Sequence, residues 1–125
     1  MEIWVFGNPD LAKDFLPIKL LPKLREVYPQ HDFIIQDPNE EWAMPEKLFI
    51  IDTVDGLDKV KTFNSLDEFQ KTPRVTMHDF DLGTQLQFLK KLKKLPPFVI
   101  FGVPVGLSEK KVFEQLTDCL GKYLT

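Results

Sequence analysis

An α/β fold built on a mostly parallel sheet is what this sequence predicts, as a three-layer α/β/α sandwich with a twisted sheet of about five strands. Three observations lead there. Leu48-Phe49-Ile50-Ile51 and Phe98 to Val103 (FVIFGV) are unbroken apolar runs. Short runs rich in β-branched and aromatic residues read as strands buried on both faces, as parallel sheets require. Between the strands, apolar residues recur at helical spacing, at Leu16, Leu20, Leu24 and Val27 and again at Leu82, Leu86, Leu89 and Leu92. The resulting order is strand, helix, strand, strand, edge strand, helix, strand, helix, and such alternation implies helices packed on a sheet.

Each element has its own local reason. Residues 2 to 6, EIWVF, read as the first strand, and Gly7-Asn8-Pro9 as the turn that ends it. A helix follows over DLAKDFLPIKLLPKLREVY, with Pro17 in its first turn and a bend expected near Pro22, because an interior proline removes a hydrogen bond. Asp32 to Gln36 reads as a short strand, and the polar stretch 37–45 as a loop. The central buried strand spans 47–52. Lys59 to Phe63 reads as an edge strand, Leu66 to Gln70 as one helical turn, and Val75-Thr76-Met77 as a short extended segment. His78-Asp79-Phe80-Asp81 opens the next helix, which Pro96-Pro97 is expected to stop. Ser108 is the expected N-cap of the last helix, with Val112, Leu116, Leu120 and Tyr123 on one face.

The totals narrow the function classes. At 125 residues the chain fits one domain, residues 1–125, with a real core. Its composition, 43% hydrophobic and 28% charged, is that of a folded globular protein rather than a disordered one. A net charge of −3 argues against a dedicated nucleic-acid binder. The basic cluster Lys90, Lys91, Lys93 and Lys94 reads as a solvated helix end that complements the helix dipole. A single cysteine, Cys119, excludes an internal disulfide and a cysteine-based zinc cluster, and its helical spacing from Val112, Leu116 and Leu120 places it in the core. No run approaches the roughly 18 apolar residues that span a membrane, and the N-terminus lacks a signal pattern, so a cytoplasmic protein that binds neither membrane nor nucleic acid is expected.

The residue that departs from this bland picture is Asp52. It directly follows the central apolar run, and an unpaired carboxylate in an apolar place is costly. Asp52 is therefore expected at the carboxyl end of its strand, where open α/β sheets bind ligands; capping a turn is the plainer alternative. Asp14 follows the first strand, and His78 precedes a helix. If the strands are parallel, the three share one rim. Two carboxylates and an imidazole suit a divalent transition metal such as nickel, zinc, cobalt or manganese, with positions left open for water or substrate. A helix N-terminus would also help to keep His78 neutral. Asp10, Asp55, Asp79 and Asp81 are equally acidic, and a histidine before a helix is often part of a cap.

Other chemistry is weakly represented. GNPDLAKD lacks the glycines of a pyrophosphate loop, and there is no GxSxG elbow. Asp52-Thr53-Val54-Asp55 is superficially like the turn of pepsin-type proteases, but the α/β pattern does not fit that all-β fold.

Taken in order, four pieces resemble the hydrogenase maturation endopeptidases of nickel–iron hydrogenases. GNPDLAKD is similar to G-N-x-L-x-x-D-(D/E)-G-x-G, with Asp14 at the acidic ligand position. FIIDTVDG looks like L-(I/V)-(I/V)-D-A-(V/T)-D, with Asp52 at the second ligand position and Asp55 as the companion acid. TMHDFDLGTQLQFL looks like T-x-H-D-x-x-L, with His78 as the third ligand, and FVIFGVPV resembles the closing strand. Four pieces departing from the pattern stand beside these: Lys13 for the first acid, Phe15 and Pro17 for glycines, Asp10 for an apolar residue, and Val103-Pro104 without the family's glutamine.

The resemblance implies a phosphorylase/hydrolase-like fold and a monomeric processing endopeptidase. Its substrate would be the large-subunit precursor of a nickel–iron hydrogenase, cut to remove a C-terminal extension after nickel insertion. Asp14, Asp52 and His78 would contact nickel carried by that substrate, a place other divalent metals could take. Oxygen and nitrogen ligands hold nickel more weakly than a thiolate-rich centre, so the metal could be sensed without being stripped. The metal could polarise the scissile carbonyl or activate water, or Asp52 or Asp55 could act as general base while nickel positions the peptide; the latter is slightly favoured. A non-catalytic nickel-sensing or chaperone-like domain is the alternative, and a flavodoxin-like mononucleotide binder a weaker third.

Overall fold

The computed structural model describes residues 1–7, 16–36, 43–54, 56–70 and 82–124. Asp14, Asp55, His78 and the extended stretch expected at 75–77 lie outside these residues.

Five strands form one sheet: β1 (Glu2–Val5), β2 (Asp32–Ile35), β3 (Leu48–Thr53), β4 (Lys61–Phe63) and β5 (Phe98–Val103), in the order β2-β1-β3-β5-β4. β1, β2, β3 and β5 run parallel, and β4 closes one edge antiparallel to β5. The mostly parallel, five-stranded α/β fold expected from the sequence is thus present. β3 lies at the centre, with Ile50 beside both Trp4 and Ile100. Helices α1 (Leu16–Lys19), α2 (Leu21–Val27), α3 (Leu66–Gln70), α4 (Leu82–Lys91) and α5 (Glu109–Leu120) complete the described elements. No helix among them is long and apolar enough to cross a membrane.

The alternation of side chains along each strand explains the unbroken apolar runs. Phe49 and Ile51 join Ile3, Val5, Phe101 and the helical residues Leu24 and Leu116 in one cluster. Leu48 and Ile50 join Trp4, Ile100, Leu66 and Leu86 in another. Successive residues of β3 therefore enter different cores, and neither parity can be polar. Burying each large side chain contributes about 1.5–3 kcal/mol. In the first cluster, Phe49 stacks on Phe101 with centroids 6.3 Å apart, and Tyr123 meets both rings edge-on.

The helix ends depart from expectation in instructive ways. The first helix does not merely bend at Pro22 but divides into α1 and α2, with Pro22 in the opening turn of α2. Proline has no N–H to donate to the preceding turn, and a second helix start removes that demand. Val27, expected on the buried face, is exposed because α2 ends there. Tyr28 packs against the core instead, and its hydroxyl donates to the Thr117 carbonyl of α5 at 3.2 Å. Cys119, expected in the core, is only half-buried at its margin. Ser108 caps α5 as expected, its hydroxyl accepting from the Lys111 N–H at 3.3 Å.

α4 ends at Lys91, before Pro96-Pro97 can stop it. The Lys94 N–H donates to the Leu89 carbonyl and the Lys93 N–H to the Lys90 carbonyl, with Lys93 at φ 59°. This is a Schellman closure with lysine in the left-handed position that glycine usually fills. Leu92, expected on the buried face, is the residue just past the last turn and is exposed.

Two outcomes follow. Lys93→Gly relieves the left-handed strain and raises unfolding free energy by about 1 kcal/mol in urea titration. Burial, and secondarily Asp118, holds the Tyr28 phenol above its usual value of 10.0. Its contribution is complete below pH 10 and disappears as pH rises through the higher folded value, since ionisation favours the unfolded chain. Tyr28→Phe therefore loses about 1 kcal/mol at neutral pH, and its stability declines less steeply than wild type at alkaline pH.

Candidate functional site

The carboxyl ends of β1, β3 and β5 converge on one rim. The Phe6 N–H donates to the Ile51 carbonyl and the Val54 N–H to the Val103 carbonyl, each at 2.9 Å, so the ladders continue to the strand ends. Asp52 stands on this rim as the penultimate residue of β3, half-buried between buried Ile51 and Thr53. The sequence expectation for its position is met. Strand alternation puts Asp52 on the side of Leu48 and Ile50, the side where Leu82 and Leu86 of α4 complete the cluster.

Asp52 pairs in register with Gly102 of β5, and Gly102 with Lys61 of β4. A Cβ on Gly102 would lie 2.9 Å from Phe63 Cε2 and 3.1 Å from Leu57 Cδ1. The glycine therefore lets the fully buried Phe63 ring close over the sheet next to the acid. Lys61 turns to Glu68 at 3.1 Å on α3 and lies over the Phe63 ring. Phe63 in turn meets Phe69 edge-on, which fixes the ring that covers the glycine. One flank of Asp52 is thus apolar and closed.

Thr53 points to the opposite core and is buried, with no hydrogen-bond partner for its hydroxyl among the described residues. Sequence reasoning passed over it. The available signal was that the resembled pattern carries alanine at this position, so the hydroxyl is an addition within an apolar environment.

The remaining predicted site residues, Asp14, Asp55 and His78, lie outside the described residues. Among the described residues, no group of three His, Cys, Asp or Glu side chains is arranged to hold a metal ion. Among the described residues, one open groove lies beside Arg25, His31 and Asp32 and another between the start of α3 and the end of α4, and Asp52 lines neither of these. What Asp52 itself offers is a rim carboxylate able to accept hydrogen bonds, contribute one ligand oxygen or take a proton.

Thr53→Val keeps the β-branched shape and removes the unsatisfied hydroxyl. It is expected to raise unfolding free energy by about 1–2 kcal/mol, measured by denaturant titration.

No family model, curated protein or solved structure matches the chain.

Proposed function

We propose that the chain is a nickel-dependent endopeptidase that removes the C-terminal extension of a nickel–iron hydrogenase large-subunit precursor. The observation that carries the reading is Asp52: a half-buried carboxylate at the carboxyl end of the central parallel strand. It coincides with the second ligand position of the resembled family. Asp14 and His78 complete the ligand set by resemblance. Leu82, which follows His78-Asp79-Phe80-Asp81 in the sequence, belongs to the same apolar cluster as Ile50. The finer fold in this reading is a three-layer α/β/α sandwich of phosphorylase/hydrolase type. Two apolar clusters, each containing residues from the sheet and from helices, support it.

In this reading nickel arrives with the substrate. Asp14, Asp52 and His78 recognise it, and Asp52 or the companion Asp55 takes a proton from the attacking water. The enzyme acts as a monomer in the cytoplasm, without nucleic acid or membrane. Selectivity comes from differential binding, because a precursor without nickel presents nothing to the three ligands.

A second reading, a non-catalytic nickel-sensing or chaperone-like domain, draws on a specific observation. Where the family pattern has glycines after the first ligand, this chain has Phe15 and Pro17, and Pro17 is buried in the helix Leu16–Lys19. A helical segment does not offer the conformational freedom of a glycine loop.

The test is the mass of a nickel-loaded large-subunit precursor after incubation with the protein. Loss of one C-terminal peptide, abolished by nickel removal and reduced about a hundred-fold or more by Asp52→Asn, supports the protease. His78→Ala is expected to do the same while circular dichroism stays unchanged. Nickel-dependent capture of an uncut precursor would favour the binding domain, and full cleavage by both variants would remove these residues from the site.

A further inference from the structure

At the opposite end of β5 from Gly102, a groove of about 860 Å³ lies between the start of α3 and the end of α4. Leu66 is buried in its wall, and Leu95, Pro96 and Phe98 line it half-buried. Lys90 and Lys93 stand exposed on the α4 side. The Schellman turn that ends α4 places Lys93 there, at the cost of a left-handed backbone that glycine would adopt more easily.

The charge is concentrated. Lys91 and Lys94 adjoin the two groove lysines in sequence, and among the described residues none of the four forms an ion pair. Of the two acids in the first turn of α3, Glu68 is engaged by Lys61, and Asp67 forms no ion pair with these lysines among the described residues. The helix dipole favours cations at this end of α4, where Lys90 and Lys91 lie in the last turn and Lys93 and Lys94 close it. In a chain of net charge −3, this is a local inversion of sign beside an apolar cleft.

We propose that this groove docks an acidic peptide segment of a partner protein, with one aliphatic or aromatic side chain seated on Leu66, Leu95 and Phe98 and carboxylates facing Lys90 and Lys93. Charge complementarity selects the segment, and the concave apolar wall anchors it. Phe88 and Leu92 are exposed at the same end of α4, so a lipid surface is the rival occupant, but the wall formed by Leu66, Leu95 and Phe98 is a cleft, which a peptide side chain fills and a bilayer does not. The site is separate from the Asp52 rim and does not depend on the processing reading.

The experiment is fluorescence anisotropy with a fluorescein-labelled nonapeptide in which aspartates and glutamates flank a central Leu-Phe pair. The full chain is expected to bind it saturably and more weakly as salt rises. Lys90→Glu combined with Lys93→Glu weakens binding about ten-fold, whereas Lys110→Glu with Lys111→Glu on α5, an equal change of net charge, leaves it intact. Replacing the Leu-Phe pair by serines also weakens binding about ten-fold. If the charge reversal disturbs folding by circular dichroism, the Lys90→Gln and Lys93→Gln pair carries the same test with a smaller loss. The proposal is overturned by absent saturation, by equal weakening in the α5 variant, or by preferential binding to phosphatidylserine vesicles or duplex DNA.

Discussion

Burial of β3 on both faces is the constraint on which the rest of the molecule depends. Its hydrogen bonds are satisfied by parallel neighbours on either side, and its side chains enter two separate apolar clusters. A parallel strand in this position must be covered above and below. Helical residues are therefore recruited to both clusters: Leu24 and Leu116 to one, Leu66 and Leu86 to the other. The same constraint decides where a carboxylate can stand. Leu48 to Ile51 have no access to water, so the acid comes only after them, where Asp52 is half-exposed.

That arrangement divides the sheet chemically. At the carboxyl rim, Asp52 stands beside a glycine roofed by Phe63, and Thr53 carries a hydroxyl into the opposite core. At the other end of β5, an apolar cleft is flanked by the exposed Lys90 and Lys93. The two ends thus differ chemically: a carboxylate stands at one, and lysines beside an apolar cleft at the other. Keeping these charges at opposite ends of β5 also limits their mutual attraction, since surface charges beyond roughly 10 Å are largely screened at ordinary salt.

The strands were legible because their signal is local and redundant. LFII and FVIFGV are apolar at every position, which leaves little room for any environment except a doubly covered strand. Edge strand β4 was legible for the opposite reason, its polar residues between Val60 and Phe63. Helix limits were harder to read. Pro22 marked a disturbance, but not whether the chain would bend or restart. Val27 and Leu92 continue the apolar spacing of their helices, yet Val27 is the last residue of α2 and Leu92 the first past α4, and both are exposed. Periodicity cannot reveal that, because the closing hydrogen bonds of α4 involve a lysine in a conformation normally signalled by glycine. Of the candidate site, the rim position of Asp52 was readable from its place after an apolar run. Its pairing with Gly102 was not, because register joins residues fifty positions apart.

The sequence by itself determined the α/β class, the central strand and the rim location of Asp52, since apolar patterning and the cost of burying a charge act on neighbouring residues. Tertiary structure decided the strand order, the antiparallel edge, the closure of Phe63 over Gly102 and the isolation of the Thr53 hydroxyl. Those depend on which distant segments pack together, and many strand orders satisfy the same local pattern. The basic groove shows both contributions. Its lysines are plain in the chain, but only the packing of α3 against α4 sets them beside an apolar cleft.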